Sequence, residues 1–363
     1  MKRLVIVIAL APWGTPSLVA QQWTPEIGIT GGFARLKPAG SGAGDNVDLW
    51  EVPGSGTSYQ TVFMIIPLGH KVALEPGLTA FRGSFKETNN LIPYSSNSNV
   101  RLTLRANFAL TNALYAAAGG YVRYREIGFH QTQVGTVAAI GYRERLGSAL
   151  GLRLEGQWIA QRGTDSLRPS NVFAVLLGFS RTLSGAGPPM ESKNRRPAGS
   201  WRLGIGIAGG YVRNHLFGGA FGLFVDAKET IVDLPGSGRT TPPSLYAIIP
   251  LTGKLALETG FDAQRIQEDG TTRFDAQLAP RFDFAVYRGI YAAAGGNLHY
   301  FKQSGSKGFA FSGASFATGY RFPLMPELEG RVEMSYTTFK QRQNFPFAQN
   351  SLGILFGMTV ALR

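Results

Sequence analysis

An alternation of apolar and polar residues along the whole chain is the feature that most restricts its possible folds. In residues 113–125 (ALYAAAGGYVRYR), every second residue from Leu114 to Val122 is apolar or small, whereas Tyr115 and Arg123 fall on the other face. A period of two indicates a β-strand with two different faces. The pattern recurs throughout, and no helical pattern remains to cover the apolar faces. We therefore expect those faces to contact lipid rather than a protein core.

The strands are organised as two copies of one unit. Matching segments keep their order in the two halves, and the clearest pairs are 27–35 with 205–213, 65–75 with 248–258 and 115–120 with 291–296. A stretch rich in Gly, Pro, Ser and charge separates the copies and predicts an exposed, periplasmic linker at 184–200. The chain thus divides into a first repeat at 21–183 and a second at 201–363.

The N-terminal residues 1–20 have the pattern of a secretory signal peptide. Lys2 and Arg3 precede a short apolar run, LVIVIALA, and Ala20 offers a small residue before the predicted cleavage point. The 363 residues contain no cysteine, which excludes disulfides, thiolate metal ligands and cysteine nucleophiles. The net charge of +13 suits acidic lipid headgroups, and the predicted export argues against nucleic acid as a partner.

Eight strands are predicted in each copy. They are placed at 24–36, 58–67, 70–82, 98–110, 113–125, 133–145, 148–161 and 171–183, and at 202–214, 243–250, 253–265, 273–285, 289–301, 309–321, 326–338 and 350–362. Tight turns alternate with longer polar loops such as 37–57 and 83–97, as in up-and-down transmembrane barrels.

The closure of these strands has two solutions. We expect an all-β fold of two tandem eight-stranded antiparallel β-barrels, because the linker is long and the inward faces mix small and large residues, as a narrow tube requires. One 16-stranded barrel is the alternative, since it would also leave no strand edge unpaired.

In architecture and pattern, the chain resembles a tandem duplication of the small eight-stranded outer-membrane barrels of the OmpA/OmpX type. The resemblance covers nearly all of the mature chain and rests on no diagnostic motif. It implies a multi-pass protein of the bacterial outer membrane. The implied partners are outer-membrane lipid, lipopolysaccharide and the barrel-insertion machinery. The last strand resembles a terminal insertion strand, although it ends at Leu362 and Arg363 rather than on an aromatic residue.

Charged residues recur on the predicted inward faces of both copies. The candidate lumen charge network consists of Glu75, Arg105 and Glu155 with their assigned counterparts Glu258, Arg281 and Glu329. A charge inside a barrel must be paired or hydrated. We expect an ion-paired plug that fills a narrow lumen, and charges that line a conducting pore are the alternative.

No catalytic, cofactor or metal site is predicted. The four histidines, His70, His130, His215 and His299, do not recur at matching positions, and no phosphate-loop, HExxH or EF-hand pattern is present. The sequence therefore predicts a non-enzymatic, membrane-spanning scaffold with surface-exposed loops and without an assigned small-molecule ligand. A 16-stranded, porin-like diffusion channel is the alternative, and a lipid-modifying barrel enzyme is a remote third.

Overall fold

The computed structural model describes most of the chain after the predicted signal peptide. The described residues are 23–38, 47–51, 62–87, 95–127, 130–146, 150–162, 170–183, 201–220, 223–233, 245–268, 270–325, 328–340 and 347–362. Among them, no helix long and apolar enough to cross a membrane is found. The predicted signal peptide at 1–20 and linker at 184–200 lie outside these residues and stay predictions.

The described residues form eighteen strands, which we group by the two copies that the sequence predicts. Those of the first copy are β1 (Glu26–Pro38), β2 (Val47–Glu51), β3 (Val62–Pro67), β4 (Val72–Glu87), β5 (Ser95–Ala109), β6 (Leu114–Ile127), β7 (His130–Leu146), β8 (Leu150–Gln161) and β9 (Ser170–Thr182). Those of the second copy are β10 (Gly204–Ala220), β11 (Leu223–Asp233), β12 (Leu245–Pro250), β13 (Leu255–Glu268), β14 (Thr271–Tyr287), β15 (Ile290–Gln303), β16 (Phe309–Met325), β17 (Leu328–Phe339) and β18 (Phe347–Ala361).

Two of these strands lie in segments that were predicted as loops. β2 falls within the predicted loop at 37–57, and β11 occupies the corresponding segment of the second copy. β4 and β5 also extend into the predicted loop at 83–97. Each copy therefore contributes one strand more than expected, and these additional strands decide how the barrel closes.

All strands belong to one closed antiparallel barrel. β2 pairs with β1 of its own copy and with β13 of the other, while β11 pairs with β10 and with β4. Followed through these two junctions, the ring contains sixteen strands: β1, β2, β13 to β18, β10, β11 and β4 to β9. The alternative of one 16-stranded barrel is confirmed. The prediction of two separate barrels was wrong, because the copies share continuous hydrogen-bonded ladders.

The number of strands that close a ring differs between the two ends of the barrel axis. At the end that carries the tight turns 68–71 and 251–254, β3 pairs with both β1 and β4, and β12 pairs with both β10 and β13. We call this the turn end, and we call the opposite end, where β2 and β11 join the copies, the loop end. One wide ring at the loop end thus divides into two narrow eight-stranded tubes at the turn end.

Two glycines mark the level at which the ring divides. β1 pairs with β3 up to Ile29 and with β2 from Gly32 onward, and Gly210 occupies the same place in β10. Their φ angles are +152° and +154°, which favour glycine. A Cβ atom at either position would lie 2.2 or 2.3 Å from a carbonyl oxygen of the neighbouring strand. Glycine therefore allows the strand to change partners here.

The outer surface of the barrel is apolar and its interior is polar. In β6, Leu114 is 42% exposed on the outside whereas Tyr115 is 1% exposed, and Leu352, Ile354 and Phe356 of β18 also face outward. Buried Glu, Arg, Asn and Gln side chains line the inside. This distribution confirms the predicted facing of the strands. It is the distribution of a transmembrane β-barrel, whose outer surface contacts the hydrocarbon of the lipid.

Candidate functional site: two buried charge clusters

The narrow tube of the first copy is crossed by buried ion pairs. Arg105 donates from Nη1 and Nη2 to the two carboxylate oxygens of Glu155, both at 2.7 Å, and from Nη2 to Glu75 Oε1 at 2.8 Å. The side chains of Arg105, Glu75 and Glu155 are 1%, 0% and 0% exposed. Glu75 and Arg105 lie on adjacent strands, but β5 and β8 are separated by β6 and β7. The Arg105–Glu155 pair therefore spans the lumen.

Arg153 balances the charge of this group. Its Nη1 donates to Glu75 Oε1 at 3.0 Å, its Nη2 donates to Glu155, and its guanidinium lies 4.7 Å from the ring centroid of Phe63. Two arginines thus face two glutamates. The predicted network omitted Arg153, although its spacing of two residues from Glu155 places both on one face of β8. We call Glu75, Arg105, Tyr115, Arg153 and Glu155 the first cluster.

A glycine in β7 allows Tyr115 to join the first cluster. In the sheet register, Gly141 lies between Tyr115 of β6 and Glu155 of β8. A Cβ atom at Gly141 would lie 2.3 Å from the tyrosine ring. Because Gly141 has no side chain, the Tyr115 ring lies over β7 and its hydroxyl donates to Glu155 Oε2 at 2.5 Å. The Tyr115 ring packs nearly perpendicular to the Trp23 ring, with centroids 5.8 Å apart.

The second narrow tube has an equivalent group. Arg281 donates to both carboxylate oxygens of Glu333 at 2.8 and 2.6 Å and pairs with Glu258 at 2.9 Å. Arg331 donates to Glu258 at 2.6 Å, and the Tyr291 hydroxyl donates to Glu333 at 2.5 Å. The second cluster comprises these five residues and Asp283, whose Oδ1 lies 3.1 Å from Arg281 Nε.

Glu329, which was assigned as the counterpart of Glu155, does not belong to the second cluster. Glu333 holds that place, and Glu329 accepts a bond from Arg321 at 3.3 Å. Arg321 in turn stacks on Trp201, with its guanidinium 3.5 Å from the ring centroid. The structure therefore brings five of the six predicted residues into the two clusters and places Glu329 beside Arg321.

Two histidines make carboxylate contacts outside the clusters. His299 Nε2 lies 2.5 Å from Asp275 Oδ1 with the Phe311 ring packed against it, and His215 Nε2 lies 2.6 Å from Asp226 Oδ1. Within the described part of the chain, no group of three or more His, Asp or Glu side chains could hold a metal ion. The charged side chains of the two clusters are almost wholly buried, and Glu26 and Arg143 outside them are buried to a similar degree.

Comparisons with known proteins give only distant similarities. No family model matches the chain, and no curated protein matches it. The CymD monoaromatic hydrocarbon channel shares 12% identity, with 94% of this chain and 90% of that chain covered and a TM-score of 0.29. A Pseudomonas aeruginosa FadL homologue shares 10%, with 93% and 89% covered and a TM-score of 0.27. Pseudomonas aeruginosa OccK1 (OpdK) shares 10%, with 93% and 98% covered and a TM-score of 0.30. Similarity at this level carries no argument about how this chain acts.

Proposed function

We propose that the protein is a bacterial outer-membrane β-barrel that acts as a membrane-spanning scaffold with sealed lumens, and that it has no enzymatic activity. The observation that carries this proposal is the filling of both narrow tubes by ion-paired side chains that are almost wholly buried. The apolar outer surface and the predicted signal peptide support the location. Outer-membrane lipid, lipopolysaccharide and the barrel-insertion machinery are the partners that this proposal requires.

The reason for sealing is electrostatic. Charges that line a conducting pore stay hydrated and exchange partners with passing ions. Here each carboxylate of the first cluster is engaged by arginine, and separating such buried pairs costs several kcal/mol. An eight-stranded tube is also narrow enough for side chains to fill, whereas a uniform sixteen-stranded barrel holds a water channel.

Conductance in planar bilayers tests the sealed state. The unmodified protein should show no large, open steps, whereas alanine at Glu75, Arg105, Arg153 and Glu155 together should open the first tube. Leu154→Ala is the matched control, because Leu154 lies between Arg153 and Glu155 on β8 but faces outward. Large open steps from the unmodified protein would overturn the scaffold proposal.

A diffusion channel is the second candidate, and the wide sixteen-stranded ring at the loop end favours it. In that case the two clusters would have to separate in order to admit a solute. Swelling of vesicles that contain the protein, measured with sugars of increasing size, distinguishes the two functions. Solute uptake by the unmodified protein supports the channel, and uptake that appears only after the clusters are removed supports the scaffold.

The membrane location is tested by facing-dependent substitutions. Leu177→Arg and Phe356→Arg place a charge on the outward surface, where arginine near mid-bilayer costs about 2–4 kcal/mol. These variants should insert poorly into lipid vesicles, whereas Ser180→Arg and Thr359→Arg, which point inward, should act through packing instead. Equal insertion of all four variants would contradict the membrane location.

The absence of enzymatic activity has a test of its own. Purified protein should not hydrolyse or modify phospholipid or lipopolysaccharide. Turnover that disappears in the His299→Ala variant would instead support a lipid-modifying enzyme.

A further inference from the structure

We propose that the outward face where β2 joins β13 binds the phosphorylated headgroup of an anionic lipid in the leaflet at the loop end. The inference rests on the proposed membrane location and adds a specific lipid site to it. A cavity of about 370 Å³ lies here and is lined by Phe33, Asp48, Leu49, Trp50, Arg265, Gln267 and Phe274.

Aromatic and basic residues form a row across five strands at this junction. Phe33 of β1 faces Trp50 of β2, which faces Arg265 of β13, then Phe274 of β14 and Lys302 of β15. Directly opposed residues on antiparallel strands are about 4.5–5.5 Å apart at Cβ, so these side chains make a continuous strip. The strip exists only because β2 of one copy pairs with β13 of the other.

The charge of the cavity is determined by Arg265. The carboxylate of Asp48 accepts two bonds from Arg35, at 2.7 Å from Nε and 2.6 Å from Nη2, so its charge is already balanced. Arg265 is exposed at the cavity between Trp50 and Phe274. A guanidinium group binds phosphate through two parallel bonds, and this geometry suits an anionic headgroup.

The position of the cavity favours a lipid over a soluble anion. Arg265 and Phe274 lie close to the ends of β13 and β14 that point to the loop end, where the strands leave the membrane in the proposed placement. Aromatic rings concentrate at this depth because they bridge hydrocarbon and headgroups. Three rings beside an exposed cation therefore match a headgroup together with the first part of its acyl chains.

The second junction provides a comparison within the same molecule. There, Tyr211 of β10 faces Val232 of β11, which faces Arg82 of β4 and then Ser98 of β5. Arg82 takes the place of Arg265, but valine and serine replace the tryptophan and the phenylalanine that flank it. This junction keeps the charge without the two aromatic walls.

The test uses the full chain in phosphatidylcholine vesicles that contain either lipid A with its phosphates or dephosphorylated lipid A. Bound lipid is counted by native mass spectrometry after gentle extraction, and insertion is measured separately by protection from protease. Arg265→Ala should lower retention of phosphorylated lipid A roughly tenfold, the loss expected for one charge-assisted contact. Trp50→Val should lower it as well, and Arg82→Ala should leave it unchanged.

Each other outcome overturns the site in a distinguishable way. Equal losses for Arg265→Ala and Arg82→Ala would show general charge attraction, and equal retention of the two lipid A forms would exclude phosphate recognition. Competition by inorganic phosphate as effective as that by phosphorylated lipid A would indicate a soluble anion instead. If the unmodified protein inserts normally, any of these results rejects the headgroup site alone. If the unmodified protein fails to insert, the proposed function and the site are rejected together.

Discussion

The first and second clusters share a frame but differ in charge. Asn107 donates from Nδ2 to Glu75 Oε2 at 2.6 Å beside the first cluster, whereas the second places Asp283 in the corresponding position next to Arg281. Two arginines therefore face two carboxylates in one tube and three in the other. The comparison teaches that the packing frame, with its central arginine and its tyrosine, is held constant while the electrostatic balance changes.

A second difference concerns an arginine that lies nearer the turn end in each tube, where Arg143 stacks on Trp23 and Arg321 stacks on Trp201. Arg143 is paired with Glu26 from β1, whereas Arg321 is paired with Glu329 from β17. The position of Glu26 is occupied by Gly204 in the second copy, and the position of Glu329 is occupied by Gly151 in the first copy. A Cβ atom at Gly151 would lie 3.7 Å from a carboxylate oxygen of Glu26. The position of the carboxylate in space is thus kept although the strand that supplies it changes.

Removal of the central arginine should give the largest effect. Arg105→Ala leaves two carboxylates with Arg153, and Arg281→Ala leaves three with Arg331, so each should lower the free energy of unfolding by about 3–5 kcal/mol. Arg281→Ala should be the more damaging. Urea unfolding in lipid vesicles, followed by tryptophan fluorescence, measures both.

A double-mutant cycle sharpens this test. Glu155→Gln added to Arg105→Ala should recover part of the lost stability, because the unpaired carboxylate has gone. Coupling near zero between the two positions would reject the plug in the first tube. An effect of Arg281→Ala no larger than that of Arg105→Ala would argue against the charge difference between the clusters.

An exchange between asparagine and aspartate at the position of Asn107 and Asp283 should give the next largest effect. Asn107→Asp removes the bond to Glu75 and adds a buried charge, so the free energy of unfolding should fall by about 1–3 kcal/mol. Asp283→Asn removes the excess charge and should raise it. The same urea titration measures both variants, and the same sign of change in both would break the proposed comparison.

Loss of the tyrosine hydroxyl should have a smaller and equal effect in the two tubes. Both hydroxyls donate to a glutamate at 2.5 Å, so Tyr115→Phe and Tyr291→Phe should each cost about 1.5 kcal/mol, the lower end for a hydrogen bond to a charged group. Thermal unfolding in detergent compares them under one condition. Markedly unequal costs would show that the additional carboxylate near Arg281 also alters the tyrosine contact.

Glu329→Gln should have the smallest effect. The Glu329 side chain is 21% exposed and its bond to Arg321 is 3.3 Å long, so neutralisation should cost no more than about 1 kcal/mol. Glu333→Gln is the matched control on the same strand and should cost several times more, because Glu333 accepts two bonds from Arg281. Similar losses in urea unfolding would restore Glu329 to the second cluster.

The misassignment of Glu329 has a simple physical cause. Glu329 and Glu333 are four residues apart in β17, and an even spacing puts both side chains on the same face of a strand. Alternation therefore identifies inward charges without choosing among them. The correct partner depends on the level along the barrel axis, which the register with β16 and β18 determines. The structure brings Arg105, Glu75 and Glu155 into contact because the three residues lie at one level along the barrel axis.

The sequence by itself determined sixteen of the eighteen described strands, their facing and the inward charges, since each depends on residues a few positions apart. Only the tertiary structure decided the closure. Along one edge of β1, the part near the turn end pairs with β3, and the rest pairs with β2. The pairings of β2 with β13 and of β11 with β4 join segments far apart in the chain. Every residue type except proline offers the same backbone hydrogen bonds to a ladder, so local pattern could not select these partners.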